Sequence, residues 1–583
     1  MKTMWHYAMR QKGLLAINIV CVFGFIIIEL GLPTLLAKML DVGIVNSDFE
    51  YVKKMGTYMI ATVLVGIVLY IGLAVVGARI NTRLVQQMRN DMMENMQRFS
   101  HQEYEKLGIS SLITRTTNDA FQVMTFMGMI LRIGFITPFM FISSIVMIVR
   151  TSPSLTAFVI GALPFLLGGI IVIGKRSEPL SRLQQKNLDN INMILRENLT
   201  GLRVIRAFVN EKFEEKRFDH VNRDYTESSK KLFKLMASAQ PAFFFLFNIV
   251  MVLVIWFGSV QIDGGSLEVG NLIAFIEYIF HALFSFLLFS TVFMMYPRAA
   301  VSAGRVQEVL DMEPSISSPE NGVTETKTNG VLEFKDVSFA YPGNSESPVI
   351  RNVSFTANPG ETVAFIGSTG SGKSTLIQLI PRFYDVSRGS ILIDGVDVRD
   401  YDLSALRDKI GYIPQKALLF SGTIEDNLRY GKPDATEADM KEAIDIAQAT
   451  EFISQKEKGL EEPISEGGSN FSGGQKQRLA IARALIRKPA IYVFDDSFSA
   501  LDYKTDATLR NRLKKETTES TVLIVAQRVS TIMHADKIIV LNEGDVVGIG
   551  THKDLLKSSS IYYDKASSQL TEEELAWKNQ LVI

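Results

Sequence analysis

Six long apolar stretches constrain this chain most, because each is long enough to cross a lipid bilayer, which takes roughly 20 residues. They lie in the first half of the sequence, at residues 13–36, 56–78, 124–149, 155–173, 241–260 and 269–296. An even number of crossings places both termini on one side of the membrane. Lys2, Arg10 and Lys12 precede the first stretch and predict that this side is the cytoplasm. No small-residue cleavage site follows that stretch, so we interpret it as an uncleaved span.

The connections between the stretches alternate between short and long. The two long ones, residues 79–123 and 174–240, contain "LVQQMRNDMMENMQRF" and "LSRLQQKNLDNINMILRENL", with apolar residues three and four apart. This periodicity predicts helices that extend from the membrane into the cytoplasm. We expect turns near Glu103 to Leu112 and near Val209 to Glu215, and these turns are candidates for elements that couple the two halves of the chain.

After about Glu313 the charged residues return, and apolar segments of strand length alternate with helical ones. We predict a transmembrane domain over residues 1–312, a linker over 313–330 and an α/β domain over 331–583. The net charge of -1 excludes a broad electrostatic attraction to nucleic acid. The single cysteine, Cys21, cannot form an internal disulfide.

The segment "TVAFIGSTGSGKST" predicts a strand, a glycine-rich turn and a helix, which is the context that a P-loop requires. Its turn allows backbone N–H groups to surround phosphate oxygens, Lys373 supplies charge toward the outer phosphates, and Ser374 offers a hydroxyl to Mg²⁺. The predicted nucleotide-binding residues here are Gly367, Ser368, Thr369, Gly370, Ser371, Gly372, Lys373, Ser374 and Thr375. Farther along, the apolar run "IYVFD" ends in Asp495, a carboxylate that can hold Mg²⁺ through water.

Between these two motifs lies "NFSGGQKQRLAIARAL", residues 470–485, which predicts a second anion site at a helix N-terminus. One domain has no use for two sites for the same terminal phosphate. We therefore expect Ser472, Gly473, Gly474 and Gln475 to face a nucleotide bound by another molecule.

Together these motifs resemble those of the ATP-binding cassette (ABC) half-size exporters, and the resemblance covers essentially the whole chain. It implies a multidomain fold: an all-α polytopic membrane domain of six helices with cytoplasmic extensions, similar to type IV ABC exporters, followed by an α/β P-loop nucleotide-binding domain. It implies ATP and Mg²⁺ as ligands, with Tyr341 stacking on adenine and Gln415 joining Ser374 and Asp495 near the metal ion. It also implies head-to-tail pairing, with residues 472–475 acting on the partner's ATP and residues 499–502, "SALD", matching the D-loop.

The chain departs from the family pattern at two catalytic positions. Asp496 stands where the family has the glutamate that positions or deprotonates the attacking water, and Gln527 stands where a switch histidine is usual. The shorter side chain withdraws the carboxylate, and glutamine carries no proton charge at neutral pH. The signature segment, residues 472–475, is intact, and Phe471 before it stands where leucine is usual in the family. We therefore expect a heterodimer in which this chain has the slow site and a second half-transporter supplies the competent one. A homodimer with two slow sites is the alternative.

Charged residues inside the apolar stretches are costly and often functional. Glu29, Arg132, Glu277 and His281 are the candidates, and Glu29, Glu277 and His281 are the predicted substrate-cavity residues. We expect an exporter of hydrophobic or amphipathic small molecules, such as several drugs, in a bacterial plasma membrane, in contact with lipids and not with nucleic acid. The alternatives are a lipid or glycolipid flippase and an ATP-binding regulatory subunit that does not transport.

Overall fold

The computed structural model of the chain describes residues 2–326, 329–343 and 347–571. The chain divides into two compact units, residues 1–94 with 112–311, and residues 95–111 with 312–583. The predicted domain boundaries remain a prediction, but the segment 95–111, which lies between two predicted spans, groups with the second unit.

The first unit is helical, and the described residues of the chain contain six helices that are long and apolar enough to cross a membrane, as the sequence predicts. These candidate spans, which include short π-helical turns, are Lys12–Ile44, Phe49–Arg98, Ile109–Thr151, Pro153–Thr200, Glu211–Asp263 and Val269–Asp311. Two shorter helices accompany them, Lys2–Met9 and Leu202–Ala207. The spans of 43 to 53 residues exceed the roughly 20 residues that a bilayer needs, so most of them extend well beyond it.

The turns predicted at 103–112 and 209–215 both contain a helix break. In the first, the helix His101–Leu107 ends at Gly108, whose φ of +75° favours glycine. The second covers the first turn of Glu211–Asp263 and Val209, which adopts a positive φ of 51°. The short helix Leu202–Ala207 lies just before this predicted segment rather than within it.

The second unit is built on two sheets. Its strands are β1 Leu332–Phe339, β2 Ile350–Ala357, β3 Thr362–Gly367, β4 Arg388–Ile393, β5 Val396–Asp397, β6 Ile410–Ile413, β7 Gly422–Thr423, β8 Pro463–Ile464, β9 Ile491–Asp495, β10 Thr521–Val525, β11 Lys537–Asn542 and β12 Asp545–Gly550. The main sheet has the order β12-β11-β3-β10-β9-β6, and the smaller one has the order β2-β1-β4-β5. β7 and β8 form a separate two-stranded pair.

The second unit also contains short helices, one before the strands along the chain and the others between or after them. They are His101–Leu107, Lys373–Gln378, Leu403–Asp408, Ile424–Arg429, Glu437–Ile446, Thr450–Ser454, Gly473–Leu485, Tyr503–Glu516, Val529–Ile532, His552–Ser558 and Ser560–Ser567, with 3₁₀ turns at Gly459–Glu461 and Glu466–Gly468. Two hydrophobic clusters pack on the strands of the main sheet.

The central strands of the main sheet position the candidate site. β3, β9 and β10 are apolar along nearly their whole length and buried on both faces, which is typical of parallel strands. β10 pairs in parallel with β3 on one side and with β9 on the other. Because parallel strands end at the same edge of a sheet, the residues that follow these three strands meet there.

The segment 95–111 is tied to this unit by specific contacts. Glu105 accepts a hydrogen bond of 2.9 Å from the Tyr384 hydroxyl, and the His101 ring stacks on Phe383 with centroids 4.9 Å apart. Glu103 accepts the backbone N–H of Ser315 at 3.2 Å. The helix His101–Leu107 is therefore held by three different points of the unit that carries the P-loop.

Candidate nucleotide site

The P-loop has the geometry that its sequence predicts. β3 ends at Gly367, and the following turn leads into the helix Lys373–Gln378. Gly370 and Gly372 have φ values of +83° and +93°, a conformation that side-chain-bearing residues rarely adopt. A Cβ atom at Gly372 would also lie only 2.6 Å from a methyl carbon of Ile350. These glycines are therefore required by the backbone path, independently of any ligand.

Lys373 is buried and folded back onto the loop that carries it. Its Nζ donates to the carbonyl oxygens of Ser368 at 2.7 Å and Gly367 at 3.1 Å, and to Ser371 Oγ at 3.3 Å. Burial lowers its pKa, with a further lowering by the nearby ammonium of Lys565. This ammonium group is partly stripped of water and surrounded by weak, neutral acceptors, so an anion entering the loop would be a stronger partner.

Ser374 and Asp495, the two predicted oxygen ligands of Mg²⁺, contact each other beside the end of β9. The Ser374 hydroxyl donates to Asp495 Oδ1 at 2.8 Å, and the Tyr412 hydroxyl donates to Asp495 Oδ2 at 3.4 Å. Burial raises the pKa of Asp495. A hydroxyl beside one carboxylate fits Mg²⁺, which binds through one or two protein oxygens together with phosphate oxygens and water.

A different kind of metal centre has no support in residues 2–326, 329–343 and 347–571. No group of three or more His, Cys, Asp or Glu side chains there could hold an ion.

Asp496 is the centre of a three-residue polar cluster. Its Oδ2 accepts a hydrogen bond of 3.0 Å from Gln527 Nε2 and one of 3.3 Å from Gln415 Nε2. The residue is only 8% exposed, and its φ of +45° is unusual for a non-glycine residue. Burial raises its pKa, although the amide donors oppose this effect. The structure thus brings together Gln415, Asp496 and Gln527, three residues that the sequence predicts separately.

These residues line one cleft of about 320 Å³. Its walls are formed by Val349, Thr369, Gly370, Gly372, Lys373, Ser374, Thr375, Gln415, Asp495, Asp496, Val525 and Gln527. The cleft therefore combines much of the P-loop with the carboxylates of Asp495 and Asp496 and the side chains of Gln415 and Gln527.

Tyr341, the predicted adenine-stacking residue, lies next to this cleft. It is half-buried, and its hydroxyl lies 3.0 Å from Thr375 Oγ1 at the end of the P-loop. Its ring packs edge-on against Phe339 and Tyr384, with centroid distances of 5.0 and 5.3 Å. These two rings hold the ring of Tyr341 in place, and an aromatic side chain suits stacking on the predicted adenine.

The signature segment begins a helix that is capped by its own side chains. Ser472 begins the helix Gly473–Leu485 with a capping box, in which Gln475 Oε1 accepts the Ser472 N–H at 2.9 Å. Ser472 and Gly473 are exposed, whereas Phe471 is buried with 5% of its surface exposed. In the part of the chain that the structure describes, none of the residues 472–475 lines the cleft. Phe471 thus replaces the usual leucine as a core residue and leaves the anion-binding end of the helix unchanged.

Two of the candidate residues in the membrane helices lie close to each other on different spans. His281 Nε2 lies 3.9 Å from Glu29 Oε2 of the first span, while Glu277, one turn away on the same helix as His281, is exposed. Glu29 lines an apolar groove of about 470 Å³ with Phe25, Ile28, Leu32, Val63, Gly66, Ile67, Tyr70 and Ile71. Arg132 contacts Tyr70, and its guanidinium carbon lies 5.2 Å from the centre of that ring.

Three residues at the site are absent from the sequence-based prediction. Tyr412 contacts Asp495, Lys565 contacts Gly367, and Gln569 contacts the backbone of Gln527 and Val529. Tyr412 lies in a strand three residues before the predicted Gln415, so the motif around Gln415 could have indicated that Tyr412 is near the site. Lys565 and Gln569 lie about 200 residues from the P-loop, in a polar helix and the turn after it, which carry no motif.

Comparisons with known proteins agree with this geometry. Residues 15–287 match the family described as the ABC transporter transmembrane region, and residues 350–499 match the family described as ABC transporter. An uncharacterized ABC transporter ATP-binding protein of Mycobacterium tuberculosis is 39% identical over 93% of both chains. YfiB of Bacillus subtilis, which is also described as uncharacterized, is 37% identical over 97% of this chain and 98% of its own.

Two further similarities concern proteins with more informative descriptions. An ATP-dependent lipid A-core flippase of Vibrio vulnificus is 30% identical over 96% of both chains. The structure of a bacterial Atm1-family ABC exporter with ATP bound covers 96% of this chain and 99% of its own, with a TM-score of 0.80 and 23% identity. At that identity the structural similarity establishes the fold alone.

Proposed function

Because the chain belongs to the family of ABC transporters, we propose that it is one subunit of an ATP-driven exporter that binds ATP in its own slow site. Its signature segment, residues 472–475, would complete the competent site of a different half-transporter. The observation that carries this proposal is the Asp496 carboxylate, which is one methylene shorter than the glutamate of the family pattern and is engaged by two glutamine amides.

The P-loop residues support ATP binding directly. Lys373 would exchange its contacts with backbone carbonyls for the outer phosphates, and the ring of Tyr341 would pack on the adenine. Ser374, Asp495 and Gln415 would hold Mg²⁺, which neutralises phosphate charge when it is bound. The contacts of Lys373 with the loop carbonyls and of Ser374 with Asp495 support these roles.

The weakened step is the activation of water. A carboxylate that should position or deprotonate water loses its effect quickly with distance, and a misplacement of about 1 Å can cost on the order of 10²-fold in rate. At Asp496, Oδ2 also accepts hydrogen bonds from Gln415 and Gln527, so this oxygen is less available as a base. Gln527 can donate to an oxygen but cannot carry a proton charge, unlike the usual histidine.

The intact signature supports a partner of a different sequence. A chain whose nucleotide domain had lost its role would have no need of an exposed anion-binding helix end, yet Ser472 and Gly473 are present and exposed. Paired head to tail, this helix would act on ATP held by the partner, whose own glutamate and histidine would complete the reaction. ATP in the cleft of this chain would then hold the dimer closed, while hydrolysis in the other site would reopen it.

The proposed cargo is hydrophobic or amphipathic, and the proposed location is a bacterial plasma membrane with both termini in the cytoplasm. The apolar groove with the single carboxylate of Glu29 supports an amphipathic ligand. A lipid or glycolipid flippase is a second candidate, because relatives that are 30 and 31% identical are described as lipid A-core flippases. Stimulation of ATP hydrolysis by drugs or by lipids, in vesicles that contain the reconstituted pair, distinguishes these two candidates.

The test is to purify the full chain alone and together with whatever half-transporter co-purifies from its source. We expect the chain alone to bind ATP at micromolar concentration and to hydrolyse it at least 100-fold more slowly than the pair, the factor that a misplacement of about 1 Å gives. Rapid hydrolysis by the self-paired chain would contradict the division of roles. An assembly that binds ATP but never transports would support the regulatory subunit instead.

A further inference from the structure

The last described helix of the chain reaches the P-loop. Lys565, in the C-terminal helix Ser560–Ser567, donates from Nζ to the carbonyl oxygen of Gly367 at 2.7 Å. Gly367 is the residue at which β3 passes into the P-loop, and Lys373 donates to the same oxygen at 3.1 Å. Two ammonium groups, separated by 192 positions in the sequence, therefore converge on one backbone oxygen of the phosphate-binding loop.

The packing of the C-terminal helix fixes the position of this second lysine. Tyr562 is fully buried, and its hydroxyl lies 2.7 Å from Nδ1 of the buried His552. Ala566 and Leu570 belong to the hydrophobic cluster that packs on the main sheet. Lys565 lies between these anchors and is itself half-buried. Its ammonium group is therefore held by the core rather than carried on a mobile surface side chain.

The same segment also contacts the backbone at and beside Gln527, which lines the same cleft. Gln569 Oε1 accepts the backbone N–H of Val529 at 2.8 Å, and its Nε2 donates to the carbonyl oxygen of Gln527 at 3.1 Å. One short segment thus contacts the P-loop through Lys565 and the switch segment through Gln569. A plain surface helix would have no reason to make specific polar contacts with both.

The two ammonium groups at the Gly367 oxygen repel each other, while the carboxylates of Asp495 and Asp496 favour the charge on Lys373. Since both nitrogens hydrogen-bond to one oxygen, they lie within roughly 6 Å of each other, a distance at which each like charge disfavours the other. A polyphosphate in the loop would relieve this repulsion by attracting both charges. Lys373 can turn toward the phosphates, since Lys565 remains to satisfy the Gly367 carbonyl.

We propose that Lys565 is a positioning residue of the nucleotide site, which retains the Gly367 carbonyl when Lys373 engages the phosphates and adds a second positive charge beside the loop. It is expected to favour nucleoside triphosphates and diphosphates over monophosphates, because it acts through the lysine that reaches the outer phosphates. This proposal rests on ATP binding at the P-loop, but it does not depend on slow hydrolysis or on a heterodimer.

The test compares four variants of the full chain in detergent micelles with Mg²⁺, using displacement of a fluorescent ATP analogue by ATP, ADP and AMP. Lys565→Met removes charge and donor, Lys565→Gln removes only the charge, and Lys565→Arg keeps both. Lys557→Met is the matched control, because Lys557 is an exposed lysine of the neighbouring helix His552–Ser558.

We expect Lys565→Met to raise the Kd for ATP about 10-fold, the effect of losing one charge-assisted interaction, and to change the Kd for AMP less than about twofold. Lys565→Arg should restore ATP affinity to within about threefold and Lys565→Gln should give an intermediate value, because a charge and a donor each contribute. Lys557→Met should bind ATP like the wild type.

Two results would overturn the proposal. One is an ATP affinity of Lys565→Met equal to that of the wild type. The other is an equal loss for the Met and Arg variants together with a lowered unfolding temperature, which would show that Lys565 only packs. Rapid ATP hydrolysis by the wild-type chain alone would contradict the proposed division of roles and leave this binding result in force, so the two failures are distinguishable.

Discussion

Lengthening the Asp496 side chain by one methylene tests the explanation of slow hydrolysis most directly. In Asp496→Glu the carboxylate moves toward the position that the family pattern uses. If the missing methylene costs on the order of 10²-fold, restoring it is worth up to about 2.7 kcal/mol of activation free energy. The gain is reduced because the amides of Gln415 and Gln527 hold the carboxylate by hydrogen bonds, and a loss of half of it leaves about 1.4 kcal/mol, or about 10-fold.

From these opposing terms we expect the self-paired Asp496→Glu chain to hydrolyse ATP between about 10-fold and 100-fold faster than the wild type. The assay is steady-state phosphate release from the full chain in nanodiscs, with ATP binding measured on the same sample. Asp495→Glu is the matched control, because the neighbouring carboxylate has the proposed Mg²⁺ role and its extension should weaken binding instead of accelerating hydrolysis. Unchanged hydrolysis by Asp496→Glu with normal ATP binding would refute the argument from side-chain length.

Three further predictions concern other parts of the second unit. Tyr341→Ala should raise the Kd for ATP about 3- to 10-fold and Tyr341→Trp should not, as displacement of a fluorescent nucleotide can show, since an aromatic contact is worth about 0.5–1.5 kcal/mol. Tyr384→Phe should lower unfolding stability by about 1 kcal/mol, measured by thermal denaturation, because it loses the hydrogen bond to Glu105. The pKa of His552 is lowered from its usual 6.5, first by burial and then by the nearby His534. The unfolded state therefore binds more protons than the folded state, and the free energy of unfolding should fall as the pH drops below 6.5. His552→Asn should make unfolding stability less dependent on pH between about 5 and 7, which denaturant titrations at each pH can show.

The parts of the structure that sequence predicts well are those with strong local signals. The P-loop is predicted to the residue because Gly370 and Gly372 must adopt positive φ between a buried strand and a helix. The six spans are predicted because each is apolar over the thickness of a bilayer. The parallel order of β3, β10 and β9, which the structure adds, places Asp496 and Gln527 in one cleft.

The parts that sequence does not predict depend on contacts between distant segments. His281 lies four residues from Glu277, which suggests a pair on one helix face, but the structure orients it toward Glu29 on another span. Helical spacing describes neighbours along one helix and gives no information on which neighbouring helix a side chain meets. Lys565 is a stronger case, because nothing in the segment "IYYDKASSQ" indicates a phosphate loop.

The joint effect of the two catalytic departures allows a final test, because Asp496 and Gln527 are in direct contact. Gln527 Nε2 donates to Asp496 Oδ2 at 3.0 Å, so replacing either residue alone leaves the other in an unsuitable pairing. Residues in contact commonly show coupling energies of about 0.5–3 kcal/mol. We therefore expect Asp496→Glu with Gln527→His to exceed the product of the single effects on the hydrolysis rate by about 3- to 10-fold. Single effects that simply multiply in this double-mutant cycle would mean that the two positions act independently, and that the amide cluster around Asp496 does not restrain its carboxylate.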